Sequence, residues 1–270
     1  MISKRDSLRA RAPAVAGSFY PGSAATLSRS IDGLLSSAAV EARARRCGVI
    51  APHAGYAFSG LVAAHAFASV RPLKGQIARA VIIGPAHFVP FAGIAAPSDT
   101  VFATPLGEVP VDGAAVEALN EETLVVIDDQ PHAPEHAIEV ELPLLQAVFG
   151  NLPIVPLLSG STSARAVAAA IARIWTDDTL LVVSSDLSHF EDYESAVKHD
   201  RRTAAAIEAF DEAAIGPCDA CGHLAVRGAL IEASRRRLDI ERLALCNSGD
   251  TKGGRHCVVG YGAWAFCGPP

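Results

Sequence analysis

A chain of 270 residues with a formal net charge of −6, half of it apolar and 19% charged, can bury a sizeable core and lacks the composition of a disordered segment. The acidic balance argues against a phosphate-backbone partner and so against nucleic acid binding. No run of about 18 apolar residues predicts a membrane span. Met1–Arg11 is charged and has no apolar signal-peptide core, so the expected location is the cytoplasm, with no membrane partner.

In chain order, an apolar run predicts a strand at Gly48–Ala51, followed by a helix over Leu61–Val70. Strands at Ala80–Gly84 and Leu124–Ile127 come next, then a helix over Ile138–Phe149 and a strand at Ile154–Leu158. A helix over Ala164–Trp175, a strand at Leu180–Ser184 and helices over Ser195–Phe210 and Leu224–Arg237 follow. Leu243–Cys246 and Val258–Ala265 read as closing strands. Short apolar strands alternating with helices predict an α/β protein, a three-layer α/β/α arrangement with a mostly parallel central sheet. No repeat or long Pro/Gly/Ser linker divides the chain, so residues 1–270 are expected to form one domain. The basic clusters Arg43–Arg46 and Arg235–Arg237 read as solvated helix faces or ends.

Three of these strands end alike. Val49-Ile50-Ala51-Pro52 runs into His53, Val81–Ala86 runs into His87, and Leu181–Ser185 runs into Asp186 and His189. The carboxyl ends of strands in an open parallel sheet face one crevice. His53, His87, Asp186 and His189 are therefore expected to share a cleft. Two His residues make half of a metal site, and the candidates for a third ligand are Asp186, His136, Glu139, Glu141 and Cys221. Cys221 precedes a predicted helix, whose N-terminus should favour its thiolate as ligand or nucleophile.

The six cysteines are scattered, as expected of free thiols or ligands, and the lone Cys218-Asp-Ala-Cys221 pair is weak evidence for structural zinc. His132-Ala-Pro-Glu-His136 matches the H-x-x-E-H pattern of inverted zinc peptidases, but that chemistry needs both His residues on one helix. Pro134 disrupts such a helix and fits better in the first turn of one beginning near Glu135. His136 at that helix start then points toward the cleft.

With these residues in view, the chain resembles the Memo family, the AmmeMemoRadiSam system protein B group. The resemblance rests on Arg11–Pro21, Ala51-Pro-His-Ala-Gly-Tyr-Ala-Phe-Ser-Gly60, Gly84-Pro-Ala-His87, Glu135-His-Ala-Ile-Glu-Val-Glu-Leu-Pro143, Ser184-Ser-Asp-Leu-Ser-His189, Cys221-Gly222 and Val259-Gly-Tyr261. It implies a fold like that of class III extradiol dioxygenases, in which two His and a carboxylate hold Fe(II). By resemblance His53 and His87 take the two His positions and Cys221 takes the place of the carboxylate. His189 matches the acid/base position, and Asp186 and His136 line the cleft as further catalytic candidates. The resemblance implies iron or copper, with zinc as a further ion, and a genomic association with radical SAM and AMMECR1-like partners. A thiolate in place of a carboxylate softens the site and makes the ligand oxidisable.

Three functions follow. The first is a metal-dependent oxidoreductase or dioxygenase with His189 as acid/base, oriented by Asp186. The second is a non-catalytic module that holds a peptide or a metal ion in the same cleft, with Lys252 and Arg255 as the cations available to an acidic ligand. The third is a hydrolase with Cys221 as nucleophile and His189 as base. The substrate is an unknown small molecule or peptide, since no nucleotide-binding pattern occurs.

Overall fold

The computed structural model describes residues 9–40 and 46–268. In chain order the elements are β1 (Ala10–Arg11), α1 (Ala24–Ser37), β2 (Arg46–Ala51), α2 (Tyr56–Ser69), β3 (Arg79–Pro85), β4 (Ile94–Ala96), β5 (Val101–Thr104), β6 (Gly107–Pro110) and α3 (Gly113–Glu121). They continue with β7 (Val126–Ile127), α4 (Leu142–Phe149), β8 (Ile154–Ser159), α5 (Ala164–Ile174), β9 (Thr179–Ser184), β10 (His189–Glu191), α6 (Tyr193–Glu208), α7 (His223–Arg235), β11 (Asp239–Asn247) and β12 (Val258–Cys267).

The central sheet runs β10-β12-β2-β9-β3-β8-β4-β7, with β11 paired to β12. Its four middle strands, β2, β9, β3 and β8, are parallel, and β12 and β4 join them antiparallel on either side. The mostly parallel sheet is thus a parallel centre with antiparallel flanks. Strand residues alternate between two cores. Val49, Ile82 and Val182 pack with α1, α2 and α4, while Ile50, Val81, Ile83 and Val183 pack with α3, α5, α6 and α7. Period-two alternation with both faces apolar is what a sheet covered on both sides requires.

Several boundaries differ from the sequence expectation. The helix expected over Leu61–Val70 begins at Tyr56, and the strand expected over Leu124–Ile127 shrinks to Val126–Ile127. No helix starts near Glu135: residues 131–134 and 137–138 are turns on either side of irregular chain at Glu135 and His136, a 3-10 turn spans Glu139–Glu141, and α4 follows. Pro143, not Pro134, occupies the first helical turn, where a missing N–H costs nothing. Arg43 and Arg45 lie outside the described residues. Arg46 is no surface residue: it is 1% exposed in β2, and its guanidinium donates to Ser69 O and to Glu241. Arg235 does end its helix at the surface, paired with Glu232. Among the described residues no helix is long and apolar enough to cross a membrane.

Candidate metal centre

β2, β3 and β9 are adjacent in the sheet, and each runs toward the same edge. Their ends bring His53, His87 and Asp186 together, as the α/β rule requires. The loop before α4 adds His136. One ring nitrogen from each of His53, His87 and His136 lies within 4.8 Å of the others, a group able to hold a metal ion. The His87 and His136 rings stack at 4.8 Å, and His53 meets them edge-on at 5.2 and 5.3 Å. His53 is buried at 1% while His87 faces outward, so the cluster spans the wall and mouth of the cleft.

Each ring is held by a second group. His53 Nδ1 lies 2.7 Å from Ser184 Oγ. His87 Nδ1 lies 2.9 Å from Glu135 Oε1, and Glu135 also accepts from the backbone amides of His87, His136 and Ala137. Burial alone would raise the Glu135 pKa, but these hydrogen bonds outweigh it and hold the carboxylate below its ordinary value. An anionic Glu135 therefore accepts a hydrogen bond from His87 Nδ1–H, which leaves the Nε2 lone pair available to the cleft. His136 Nδ1 is 3.2 Å from Glu135 Oε1 but is not aligned for a hydrogen bond.

Cys221 adjoins the cluster through His53, with Sγ 3.3 Å from Nε2. Gly222 permits this approach, because a Cβ there would fall 2.7 Å from Ser184 O and 2.8 Å from Ser185 Cβ. The Asp186 amide donates to the sulfur at 3.3 Å. The helix-terminus argument for a thiolate fails here. Burial, followed by the Asp186 charge, pushes the Cys221 thiol up to about 12. Asp186 itself rises to about 7 through burial, against hydrogen bonds from the His53 and Ala54 amides.

Asp186 does not orient His189. The His189 ring donates Nδ1–H to Leu187 O at 2.7 Å, which leaves Nε2 as the proton-accepting atom. Burial lowers the His189 pKa, and His87 lowers it further. β10 pairs with β12 across an irregularity between His189 and Glu191. The intervening Phe190 has φ 64° and is 76% exposed, a rare backbone state for a bulky residue. Phe88, 56% exposed, packs edge-on to His136 at 5.7 Å. Two aromatic side chains therefore flank the histidines of the cleft.

The other candidates have structural partners. Glu139 accepts from Arg11, from the amides of Ala14 and Val15 and from Tyr20 Oη, fixing the N-terminal segment beneath the site. That segment carries Phe19 onto the His136 ring at 4.8 Å. His132 is buried in a turn, with Nε2 3.2 Å from Ala95 O, so the H-x-x-E-H residues do not form a peptidase site. Cys218 is exposed. Arg255 lies over the Tyr193 ring, 4.2 Å from its centroid. Sequence reasoning passed over Glu135 and Ser184 as ring partners, although both stand inside the quoted blocks, beside His136 and at the end of β9.

The fold and the site define an α/β protein whose central strands end in a histidine cluster able to bind a metal ion. Residues 11–265 match the family model described as Memo-like protein. A MEMO1 family protein of Methanopyrus kandleri is 34% identical over 95% of this chain and 98% of its own length. One from Methanothermobacter thermautotrophicus is 35% identical over 93% and 98%. The chain belongs to the Memo family. An uncharacterized protein of Escherichia coli K12 shares the fold, with a TM-score of 0.53 at 13% identity over 80% of this chain and 99% of that one.

Proposed function

We propose that the protein is a metal-dependent oxidoreductase that holds iron or copper at His53, His87 and His136, with Cys221 as a further donor. The carrying observation is the convergence of three imidazoles within 4.8 Å. The donor set fits the group: imidazole suits iron, copper and zinc, and a thiol beside it favours the softer ions. The His53–Cys221 separation of 3.3 Å also fits. Two donors on one tetrahedral ion, at about 2.0 Å for nitrogen and about 2.3 Å for sulfur, stand about 3.5 Å apart. When bound, iron or copper would supply electron transfer and a position for O₂ or substrate.

The chain's own groups supply the rest. Glu135 anchors His87 by accepting a hydrogen bond from its Nδ1–H. His189 stands neutral with Nε2 free to take a proton from substrate and return it. Phe88 and Phe190 offer aromatic surface to an organic substrate beside the histidines. The hydrolase reading loses ground because the Cys221 thiol is pushed up to about 12 and its imidazole neighbour is His53, whose own pKa burial drives down. A metal-holding module without catalysis shares the same cluster and differs in one respect: it does not need His189.

The test is oxygen consumption by the iron- or copper-loaded protein with ascorbate as electron donor. Consumption that requires the ion and falls on His189→Ala supports the enzyme. Consumption no faster than the same ion gives without the protein supports the module.

A further inference from the structure

A buried carboxyl lies behind His53. Glu141 has no exposed surface, and its Oε2 has no hydrogen-bond partner among the described residues. Its Oε1 lies 3.2 Å from Ser184 Oγ. The same hydroxyl lies 2.6 Å from Ala137 O and 2.7 Å from His53 Nδ1.

Three contacts converge on one oxygen that carries a single hydrogen. Ala137 O can only accept, and its contact is the shortest of the three, so the Ser184 proton goes there. The other two partners must then donate to Oγ. Nδ1 does so if it bears the ring proton. Glu141 Oε1 does so if the carboxyl is neutral, the state expected of a buried acid whose second oxygen is unpartnered. The electrostatics agree: burial first, then the Asp186 charge, raise the Glu141 pKa well above the ordinary carboxylate value, against the Ser184 hydrogen bond. A carboxylate in the same place would compete for the Ser184 proton and leave Oγ facing Ala137 O, oxygen against oxygen.

We propose that Ser184, its proton committed to Ala137 O and uncontested by a neutral Glu141, is a positioning residue that holds His53 as its Nδ1–H tautomer, so that the Nε2 lone pair is turned toward Cys221 and the histidine cluster. The inference rests on the reading of His53 as a metal ligand for its purpose, but not for its geometry. His87 receives the same treatment from an anion, Glu135. The two rings are thus fixed by opposite means, a proton acceptor behind His87 and a hydroxyl backed by a neutral acid behind His53. The arrangement behind His53 adds no negative charge.

The test is long-range 1H–15N correlation spectroscopy of the chelator-treated, 15N-histidine-labelled full chain, paired with zinc titration by calorimetry. The wild type should show His53 with Nδ1 protonated and Nε2 bare. Ser184→Ala should give mixed tautomers and weaken zinc binding about 10- to 100-fold. Glu141→Gln keeps a donor at the same place and should retain both the tautomer and, within a few-fold, the affinity. Glu141→Leu leaves Ser184 donating to Ala137 O and should also keep the Nδ1–H tautomer. A wild-type His53 protonated at Nε2, or a Ser184→Ala spectrum unchanged at His53, overturns the proposal. If the tautomer is as stated but the wild type takes up no zinc, the positioning role stands and the metal reading fails. Glu141→Gln and Ser184→Ala carry the test should Glu141→Leu fail to fold.

Discussion

His53 Nε2 and Cys221 Sγ lie 3.3 Å apart, although 168 positions separate them in the chain. The contact joins the end of β2 to the turn before α7 and sets a thiol beside the histidine cluster. A thiol pushed up to about 12 is protonated at neutral pH. A coordinating thiol is deprotonated outright. Zinc loading at pH 7.5 should therefore release about one proton per ion more from the wild type than from Cys221→Ala. Calorimetry in buffers of different ionisation enthalpy measures this, and equal release from both would remove Cys221 from the ligand set.

His189→Ala should leave metal content unchanged, because the ring is tied to Leu187 O and stands outside the three-histidine group. Metal-dependent oxygen consumption should fall about 10²- to 10⁴-fold, the range for loss of a general acid/base.

Glu139→Ala removes the acceptor of Arg11, the Ala14 and Val15 amides and Tyr20. Arg11 is 4% exposed, so its charge would be left buried without its partner. The expected loss is about 3–5 kcal/mol by urea denaturation. Phe19 packs on His136 from this segment, so zinc affinity should fall as well.

His132 is buried, and desolvation lowers its pKa to about 4. Between the unfolded value near 6.5 and that folded value, the unfolded chain binds the proton first, so stability falls as pH falls through this window. From pH 7 to pH 5, His132 should cost the wild type about 2 kcal/mol. His132→Phe should lose that much less over the same interval in paired denaturation curves. An equal loss in both proteins would show that the ring does not titrate as stated.

Much of the fold was legible because the central strands are short apolar runs, buried on both faces. The short strands were not. β4, beside β8, and β5 and β6, which pair with β1 in a separate small sheet, are three or four residues long and owe their pairing to neighbours, and α1 precedes the first strand that the apolar pattern marks. The strand-end rule found His53, His87, Asp186 and His189, because chain direction alone sends those residues to one edge. It could not bring His136 into the cluster, since that residue arrives on an irregular loop. Nor could it foresee that burial would outweigh the helix terminus at Cys221, or that Leu187 O, not Asp186, would hold the His189 ring.

The central claim is a transition metal on the histidine cluster. Protein purified anaerobically should carry near-stoichiometric iron or copper by mass spectrometry. A His53→Ala/His87→Ala/His136→Ala variant, folded by circular dichroism, should carry none. Equal trace metal in both proteins would contradict the account.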